Sequence, residues 1–515
     1  MKISKKFLSL LCMFTLILVI LAACGGSDET TTTDNKESDT SNNADEAPSD
    51  EPVKVTMMAN LHTPETPNDK VLNMIEEATN SELEIQWVPD STYQDRLNTA
   101  FATGSLPQVV PMGFNMFVQF KEAIRDDQFW EIGPYLEEFE NLNKLKPEIL
   151  ENTMVDGKIY SLYQGRPLSR QGFIYRKDWA DNLGLETPTN TEEFYEMVRA
   201  FSEDDPDGNG KNDTIGLTDR SDLVYGGFKT IASWFGTPNE WGIKDGELQP
   251  EFMFDEYMQT LDYLKDIHSN GYMNQDFPVT SKPDQQAMIK NGTAGVYVGS
   301  MPDVQSLYND AVELNPDLEY DVANYIEGPD GEYGTWAIPG YGSVFLFPKS
   351  AIATEEELKA ILGVFDKFMT TEVANLTVWG VEGEHYEVID GRAAALEDNR
   401  TAIDNEVRPL MSLEIGEPET SGRYDAYSHY EVKAKADELV VENNDYLIHN
   451  PTVTLDSETY VKNSETLSQI MVDATYKYIL GQIDKDGFNA AIESWKSQGG
   501  SEVMAEFNAH YNEIN

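Results

Sequence analysis

The feature that most constrains the fold of this chain is an alternation of strand-like and helix-like segments that begins at Val53. Residues 53–58, 83–88 and 106–110 have the short apolar or alternating pattern of β-strands. Between them, apolar residues recur at helical spacing, first at Val71, Met74, Ile75 and Ala78, and then at Tyr93, Leu97, Ala100 and Phe101. This order of strands and helices predicts an α/β fold in which helices cover a parallel sheet.

The rest of the chain is long enough for a second body of the same kind. Further strands are predicted at residues 173–175, 295–298 and 343–347. The C-terminal part is predicted to be helical because it carries one apolar stripe, made of Leu467, Ile470, Met471, Ala474 and Tyr478. Roughly 460 residues follow Pro52, which is more than one hydrophobic core normally supports. We therefore expect two large lobes.

The charge of the chain excludes several kinds of partner. It has 91 Asp and Glu residues against 37 Lys and Arg, a formal net charge of −54 at pH 7. Such a surface repels nucleic acids and anionic lipid headgroups, so we predict no nucleic-acid ligand and no membrane attachment through a basic patch. The two cysteines are Cys12 and Cys24, both near the N-terminus. We expect no disulfide, and stability must come from apolar burial.

Residues 1–23 have the organisation of a secretory signal peptide, with three lysines, an apolar run and small residues at its end. Residues 21–24 (LAAC) resemble the lipobox of bacterial lipoproteins, which implies that Cys24 is lipidated and becomes the first mature residue. Two acyl chains would hold the protein on the extracellular face of the bacterial cell membrane. The alternative is a spanning helix, for which the apolar run is short. Residues 24–52 are polar and acidic, and predict a disordered tether.

Short phrases along the remaining chain occur in a specific order. They are residues 103–108 (TGSLPQ), 156–160 (DGKIY), 175–179 (YRKDW), 183–185 (LGL), 205–211 (DPDGNGK) and 381–386 (VEGEHY), with Trp495 and Gly499-Gly500 near the end. Together they resemble the family 1 extracellular solute-binding proteins of bacterial ABC importers. Within that family the chain looks like the large LipO-like lipoproteins, which are similar to alginate-oligosaccharide-binding proteins.

The resemblance implies a two-lobed, periplasmic-binding-protein-like fold of type II, with a hinge and a cleft between the lobes. The implied first lobe comprises residues 53–164 and 342–410, and the second comprises residues 165–341 and 411–515. A ligand that contacts both lobes favours the closed state, which the importer then recognises. We therefore expect a monomeric, lipid-anchored protein that captures an oligosaccharide and delivers it to ABC permease subunits. A peptide or another polar solute is the alternative ligand, and a sensor or scaffold role is the alternative to transport.

Residues 205–213 resemble a calcium-binding loop of the EF-hand type. The predicted ligands of a structural Ca²⁺ ion are the side chains of Asp205, Asp207, Asn209 and Asp213 and the backbone carbonyl of Lys211. Gly210 stands at the position where such a loop turns sharply. The usual bidentate Glu is replaced by Gly216, so another group must complete the site. The alternative is a turn without metal, for which Asp, Asn and Gly are equally suited.

Candidate ligand-binding residues are of three kinds. Open α/β sheets bind ligands beyond the carboxyl ends of their strands, which selects Asn60, His62, Gly113, Phe114, Asn115, Ser300, Met301 and Asp303. Aromatic rings suit the flat faces of sugars, although core packing is the alternative role; the candidates are Trp234, Trp241, Trp336, Tyr341, Tyr386 and Tyr424. Arg166 and Arg423 are able to bind a sugar hydroxyl or a ligand carboxylate, with a salt bridge to the protein's own acids as the alternative.

The sequence contains no motif that indicates an enzyme. It lacks a Gly-x-Ser-x-Gly elbow, a His-Glu-x-x-His helix, a Cys-x-x-Cys pair and a phosphate-binding loop, and its six histidines are scattered. We therefore predict a binding protein. A surface-anchored glycosidase stays as the alternative from another class, because among 91 acids two carboxylates can meet at a catalytic separation by chance.

Overall fold

The computed structural model describes residues 51–63 and 65–514. The predicted signal peptide, the lipidation site at Cys24 and almost all of the tether lie outside these residues. Within the described residues, no helix combines the length and the apolar composition that a membrane span requires.

The N-terminal part alternates strands and helices as the sequence predicts. Its elements are β1 (Val53–Leu61), α1 (Asp69–Thr79), β2 (Ser81–Pro89), α2 (Asp90–Thr103), β3 (Val110–Gly113), α3 (Phe114–Arg125), α4 (Pro147–Asn152) and β4 (Ser161–Gly165). Helix α1 begins where the Asn68 side chain accepts the Lys70 N–H, and it ends at Asn80 in the left-handed conformation. These local signals fix the length of the helix between the first two strands.

The middle part carries a second set of strands and helices. Its elements are β5 (Gln171–Arg176), α5 (Lys177–Leu183), α6 (Thr191–Glu203), β6 (Ile215–Thr218), α7 (Gly227–Trp234), β7 (Trp241–Lys244), β8 (Glu247–Pro250), α8 (Asp255–Ser269), α9 (Lys282–Lys290), β9 (Ala294–Ser300), α10 (Val304–Ala311), β10 (Tyr320–Ala323) and β11 (Thr335–Trp336). The predicted strands at 173–175 and 295–298 are confirmed as parts of β5 and β9.

The C-terminal part is mostly helical, as the sequence predicts. Its elements are β12 (Tyr341–Leu346), α11 (Glu355–Phe368), α12 (Thr371–Val378), β13 (Tyr386–Ile389), β14 (Arg392–Ala395), α13 (Arg400–Glu406), α14 (Pro418–Ser421), α15 (Glu431–Glu442), β15 (Leu447–Ile448), α16 (Glu458–Ile479), α17 (Lys485–Trp495) and α18 (Ser501–Ile514). The predicted apolar stripe lies on α16.

Two sheets organise the molecule. In the first, β1 and β2 pair in parallel from Val53 opposite Ser81 to Leu61 opposite Pro89, and β12 pairs antiparallel with both β3 and β4. An isolated parallel bridge between Met57 and Val109 connects the two groups of strands. In the second sheet the order is β10-β5-β9-β6, with β6 and β9 parallel and the other pairs antiparallel.

The third strand begins later than the sequence predicts. Residues 106–110 were expected to form it, but β3 starts at Val110. Pro107 has no N–H to donate to a neighbouring strand, and the Gln108 side chain, not its backbone, accepts the Thr56 N–H at 2.9 Å. A side-chain hydrogen bond therefore replaces the backbone bond at Gln108, and backbone pairing begins with the isolated bridge at Val109.

The buried apolar residues form two large cores. The first core draws on residues 55–163, 341–376 and 407–415. The second core draws mainly on residues 173–298 and 455–507, and a smaller cluster joins β5 and β10 to α15. Leu413 and Ile415, which follow the boundary expected at residue 410, belong to the first core. The residue boundaries of the two lobes stay a prediction.

Candidate functional site

Two chain segments run side by side between the cores. Residues 166–168 lead from β4 to β5, and residues 338–340 lead from β11 to β12. The Arg166 N–H donates to the Gly340 carbonyl at 2.8 Å, and the Ile338 N–H donates to the Leu168 carbonyl at 2.8 Å. We call residues 166–168 and 338–340 the crossing segments. Because few backbone bonds join them to anything else, they are the natural place for the cores to pivot.

An aromatic pair lies at the first-core end of the crossing segments. Phe114 is the first residue of α3 and is 41% exposed, and its ring centroid lies 6.1 Å from that of Tyr341, the first residue of β12. Burial raises the pKa of the Tyr341 hydroxyl above its ordinary value, so this tyrosine stays neutral. Asn115, the next predicted residue, also belongs to α3.

A second aromatic pair lies at the other end of the crossing segments. Trp336 ends β11, and its ring lies 5.6 Å from that of Tyr225 in an edge-to-face arrangement. The Trp336 indole N–H donates to Thr230 Oγ1 at 3.1 Å, which fixes the ring. Tyr225 is 50% exposed. Tyr225 is not among the residues predicted from the sequence, although an aromatic residue just before Gly226-Gly227 at the start of a helix was an available signal.

The loop that carries Tyr225 is held by a buried acid. The Asp219 carboxylate accepts the N–H groups of Gly227 and Arg220, each at 2.8 Å, and so caps α7. Arg220 in turn donates to the Tyr225 carbonyl and to Asp222. Burial raises the pKa of Asp219 to about 6, against the opposing effect of these hydrogen bonds and of the Arg220 charge.

Two predicted residues at strand ends have buried polar atoms with no partner among the residues described. They are Asn60 Oδ1 at the end of β1 and Ser300 Oγ at the end of β9. Asn60 Nδ2 donates to Asp90 Oδ1 at 2.8 Å, and exposed His62 lies 3.8 Å from the same carboxylate oxygen. A buried polar atom without a partner is uncommon in a native protein and often marks the place of a ligand or water.

Several other predicted residues lie apart from these groups. Trp234 is only 1% exposed and packs against Phe194 in the second core, and Trp241 packs against Phe507. Met301 is buried, and Asp303 accepts from Tyr297 and pairs with Lys282. Tyr386 and Tyr424 lie near each other, with ring centroids 6.2 Å apart. Their roles in ligand binding stay predictions.

The two candidate arginines differ in their surroundings. Arg423 Nε donates to Glu414 Oε1 at 2.5 Å, and both side chains are mostly buried. Burial raises the pKa of Glu414, while the charges of Arg423 and Arg166 oppose that rise. Arg166 is exposed and forms no ion pair with any residue in the described part of the chain.

The predicted calcium loop lies between α6 and β6. Asp205, Gly208 and Gly210 all have positive φ, at 49°, 68° and 80°, so the backbone folds into a tight turn. Asp205 Oδ1 is buried and has no hydrogen-bond partner within the described residues. The Asn209 amide nitrogen donates to Asp207 at 2.8 Å and to Asp213 at 3.0 Å. The two carboxylates therefore approach the same point, which the amide nitrogen of Asn209 occupies. A cation at that point would be favourable, so these residues fit a hard metal ion.

One other group of acids and histidine is compact enough to bind a metal. Among the described residues, ligand atoms of Glu384, His385 and Glu406 lie within 4.8 Å of one another. His385 Nδ1 accepts the Val381 N–H at 2.9 Å, however, and its Nε2 lies 3.1 Å from Glu406. Lys70 pairs with both glutamates. Hydrogen bonds and an ammonium group therefore satisfy this cluster without an ion.

Comparison with known proteins identifies the family. Residues 66–375 match the model of the bacterial extracellular solute-binding proteins, and the chain belongs to that family. It has their mixed α/β fold of two lobes with a cleft between them, as the sequence predicts.

Individual relatives cover most of the chain. It is similar to the polygalacturonan/rhamnogalacturonan-binding protein YtcQ of Bacillus subtilis, with 40% identity over 91% of this chain and 93% of that protein. Lipoprotein LipO of the same organism is 35% identical over 92% of this chain and 94% of its own length. A solved structure of the Streptococcus pneumoniae binding protein FusA, an EF-hand mutant in complex with fructo-nystose, covers 90% of this chain and 99% of FusA at 18% identity and a TM-score of 0.61.

Proposed function

We propose that this protein captures an oligosaccharide between its two lobes and delivers it to the permease of an ABC importer. The family assignment supports a solute-binding role. The ligand class is supported by YtcQ, whose name specifies polygalacturonan and rhamnogalacturonan, and by the fructo-nystose complex of FusA. We also propose that the protein acts as a monomer.

The observation that carries the proposal is the pair of aromatic groups at the two ends of the crossing segments. In each pair an exposed ring, Phe114 or Tyr225, packs against a buried one, Tyr341 or Trp336. Sugar rings present apolar C–H faces that pack on such surfaces, and their hydroxyls need polar partners at the edges.

Polar partners are available on both sheets. Asn60 Oδ1 at the end of β1 and Ser300 Oγ at the end of β9 have no partner within the part of the chain that the structure describes. A ligand that bonds both atoms contacts both lobes, and it therefore binds the closed arrangement better than the open one. Shifting a two-state equilibrium from about 99% open to about 99% closed takes about 5.5 kcal/mol of differential affinity, which several such contacts supply together.

The test is binding of defined oligosaccharides by calorimetry, with the Tyr225→Ala and Tyr225→Phe variants. The wild-type protein is expected to bind at least one oligosaccharide, and Tyr225→Ala is expected to weaken that binding about tenfold because a partly exposed ring is removed. Tyr225→Phe keeps the ring and is expected to bind nearly as the wild type does. Binding of peptides but of no saccharide would overturn the assignment, and new reducing ends in the saccharide would indicate a glycosidase.

We also propose that residues 205–213 bind a structural Ca²⁺ ion. The unpartnered Asp205 oxygen and the tight backbone turn support this site. At a hundredfold excess over its dissociation constant, the ion would stabilise the folded protein by about 2.7 kcal/mol. Chelation is expected to lower the melting temperature of the wild type but not of Asp205→Asn. Asp245→Asn, at another positive-φ aspartate in an exposed turn, is the matched control and should respond to chelation as the wild type does.

We propose further that Cys24 carries the lipid anchor on the extracellular face of the membrane. The LAAC sequence and the similarity to lipoprotein LipO support this location. Mass spectrometry of the protein from its native membrane should find acyl chains on Cys24, and Cys24→Ser should release the protein to the medium. An unmodified N-terminal segment that stays in the membrane would contradict the anchor.

A further inference from the structure

The cation Arg166 lies close to the first aromatic pair of the candidate site. It lies in a crossing segment, it is exposed, and no carboxylate in residues 51–63 or 65–514 forms an ion pair with it. Arg96, Arg170 and Arg392 also form no ion pair within the described residues, so what distinguishes Arg166 is its position beside Gly342 and the first aromatic pair. Most basic side chains of the described residues do find an acid, as Arg423 does with Glu414 at 2.5 Å.

The guanidinium of Arg166 lies against the chain next to the first aromatic pair. A Cβ atom at Gly342 would be 2.6 Å from Arg166 Nε, so the absence of a side chain at position 342 makes room for the arginine. Gly342 directly follows Tyr341, whose ring packs against Phe114. A sugar ring placed on this aromatic pair would therefore have the guanidinium close to its edge.

Glu414 lies close enough to Arg166 for their charges to interact, and it already pairs with Arg423. Its Oε1 accepts from Arg423 Nε, and its side chain is only 12% exposed. Arg423, Glu414 and Arg166 together carry one net positive charge, and that charge is available on the exposed member. A guanidinium with free donors binds a carboxylate through two parallel hydrogen bonds, which an ammonium or an amide cannot reproduce.

We infer that Arg166 selects acidic oligosaccharides by binding a uronate carboxylate, whereas Arg423 has a structural role. This inference rests on the proposed function, because it assigns a specificity-determining residue within the same cleft. It goes further in one respect: the acidic group of the ligand, not only its ring, is expected to determine affinity despite the strongly negative charge of the protein.

The experiment compares two probes that differ in one group. They are the α-1,4-linked galacturonate tetramer and the same tetramer after reduction of its carboxylates to alcohols. The wild-type protein is expected to bind the acidic tetramer more tightly. Arg166→Gln is expected to weaken binding of the acidic tetramer about 10- to 100-fold, the usual contribution of a charge-assisted hydrogen bond, and to change binding of the reduced tetramer less than about threefold. Arg166→Lys should recover only part of the loss, since lysine keeps the positive charge but lacks the two parallel N–H donors of the guanidinium.

A matched control removes the same charge elsewhere. Lys485 is exposed on α17 and also forms no ion pair within the described residues. Lys485→Gln is expected to leave both affinities unchanged, and neither substitution should alter the melting temperature. An equal loss for both tetramers in Arg166→Gln, or equal wild-type affinity for both, would overturn the inference and leave the proposed function standing. Failure of the wild type to bind any saccharide would overturn the proposed function and the inference with it.

Discussion

The buried carboxylate of Asp219 gives the protein a predictable dependence of stability on pH. Asp219 is 3% exposed and caps α7, the helix that follows the Tyr225 loop. Burial raises its pKa to about 6 from an ordinary 3.8, despite hydrogen bonds from Gly227 and Arg220 and the charge of Arg220. Tyr476, on α16, is also close enough to interact with Asp219 electrostatically.

The sign and the size of this pH dependence follow from the linkage between protonation and folding. The pKa of this acid is higher in the folded state, so the folded state binds the proton more tightly and the contribution of Asp219 to stability falls as pH rises through about 6. Below about pH 3.8 the contribution is fully present. Between pH 5 and pH 7.5, where the protein stays strongly negative, the loss amounts to about 1.4 kcal/mol.

Urea unfolding of the wild type and Asp219→Asn at several pH values between 5 and 7.5 measures the contribution of Asp219 ionisation to the free energy of unfolding. The asparagine variant cannot ionise at this position, so the wild-type stability minus the variant stability should fall by about 1.4 kcal/mol across the range. Loss of the cap changes the variant's stability at every pH, whereas only ionisation changes the slope. Glu247→Gln removes an exposed carboxylate and should give a flat difference. A flat difference for Asp219→Asn would refute the reasoning.

Two further predictions concern packing within and between the cores. Gly295→Ala is expected to lower the free energy of unfolding, measured in urea, by about 1–3 kcal/mol, because its new Cβ would lie 2.3 Å from a ring carbon of Phe201. Unchanged stability would contradict the close packing of β9 on α6. Asp456 joins the cores, since it follows a residue of the second core and pairs with Lys121 of α3 at 3.3 Å. Asp456→Asn leaves the nearly buried Lys121 without its acid. X-ray scattering of the ligand-free variant should therefore report a larger radius of gyration than that of the wild type. An identical radius would show that this pair does not hold the lobes together.

The elements of the fold were predictable where the signal is local. Apolar spacing located α1 and α16, and alternation located β1 and β2, because both patterns reflect which face of an element is buried. The start of β3 was not predictable, since the Gln108 side chain bonds to Thr56, a residue far away in the sequence. Errors of this kind arise wherever a distant side chain replaces a backbone partner.

The candidate site was predictable only in part, for a related reason. The rule that ligands bind beyond strand ends selected Asn60 and Ser300, whose buried oxygen atoms have no partner in the described structure. Aromatic composition could not separate Trp234, which packs in the second core, from Tyr225, which is half exposed. Whether a ring faces the core or the cleft is decided by the elements packed around it, and one sequence does not reveal them.

Arg166 and Arg423 have the same composition-based prediction but different surroundings in the structure. From sequence, Arg166 and Arg423 were equivalent: rare cations in an acidic chain, each with a salt bridge as the alternative role. In the structure Glu414 pairs with Arg423, while Arg166 lies exposed against Gly342. A guanidinium that is already paired gains little from a second carboxylate, because the first has offset most of its charge. An exposed guanidinium without an ion pair exchanges its water for the ligand carboxylate and gains the net energy of a charge-assisted bond, so the same residue type supports the fold at one position and is free to determine specificity at the other.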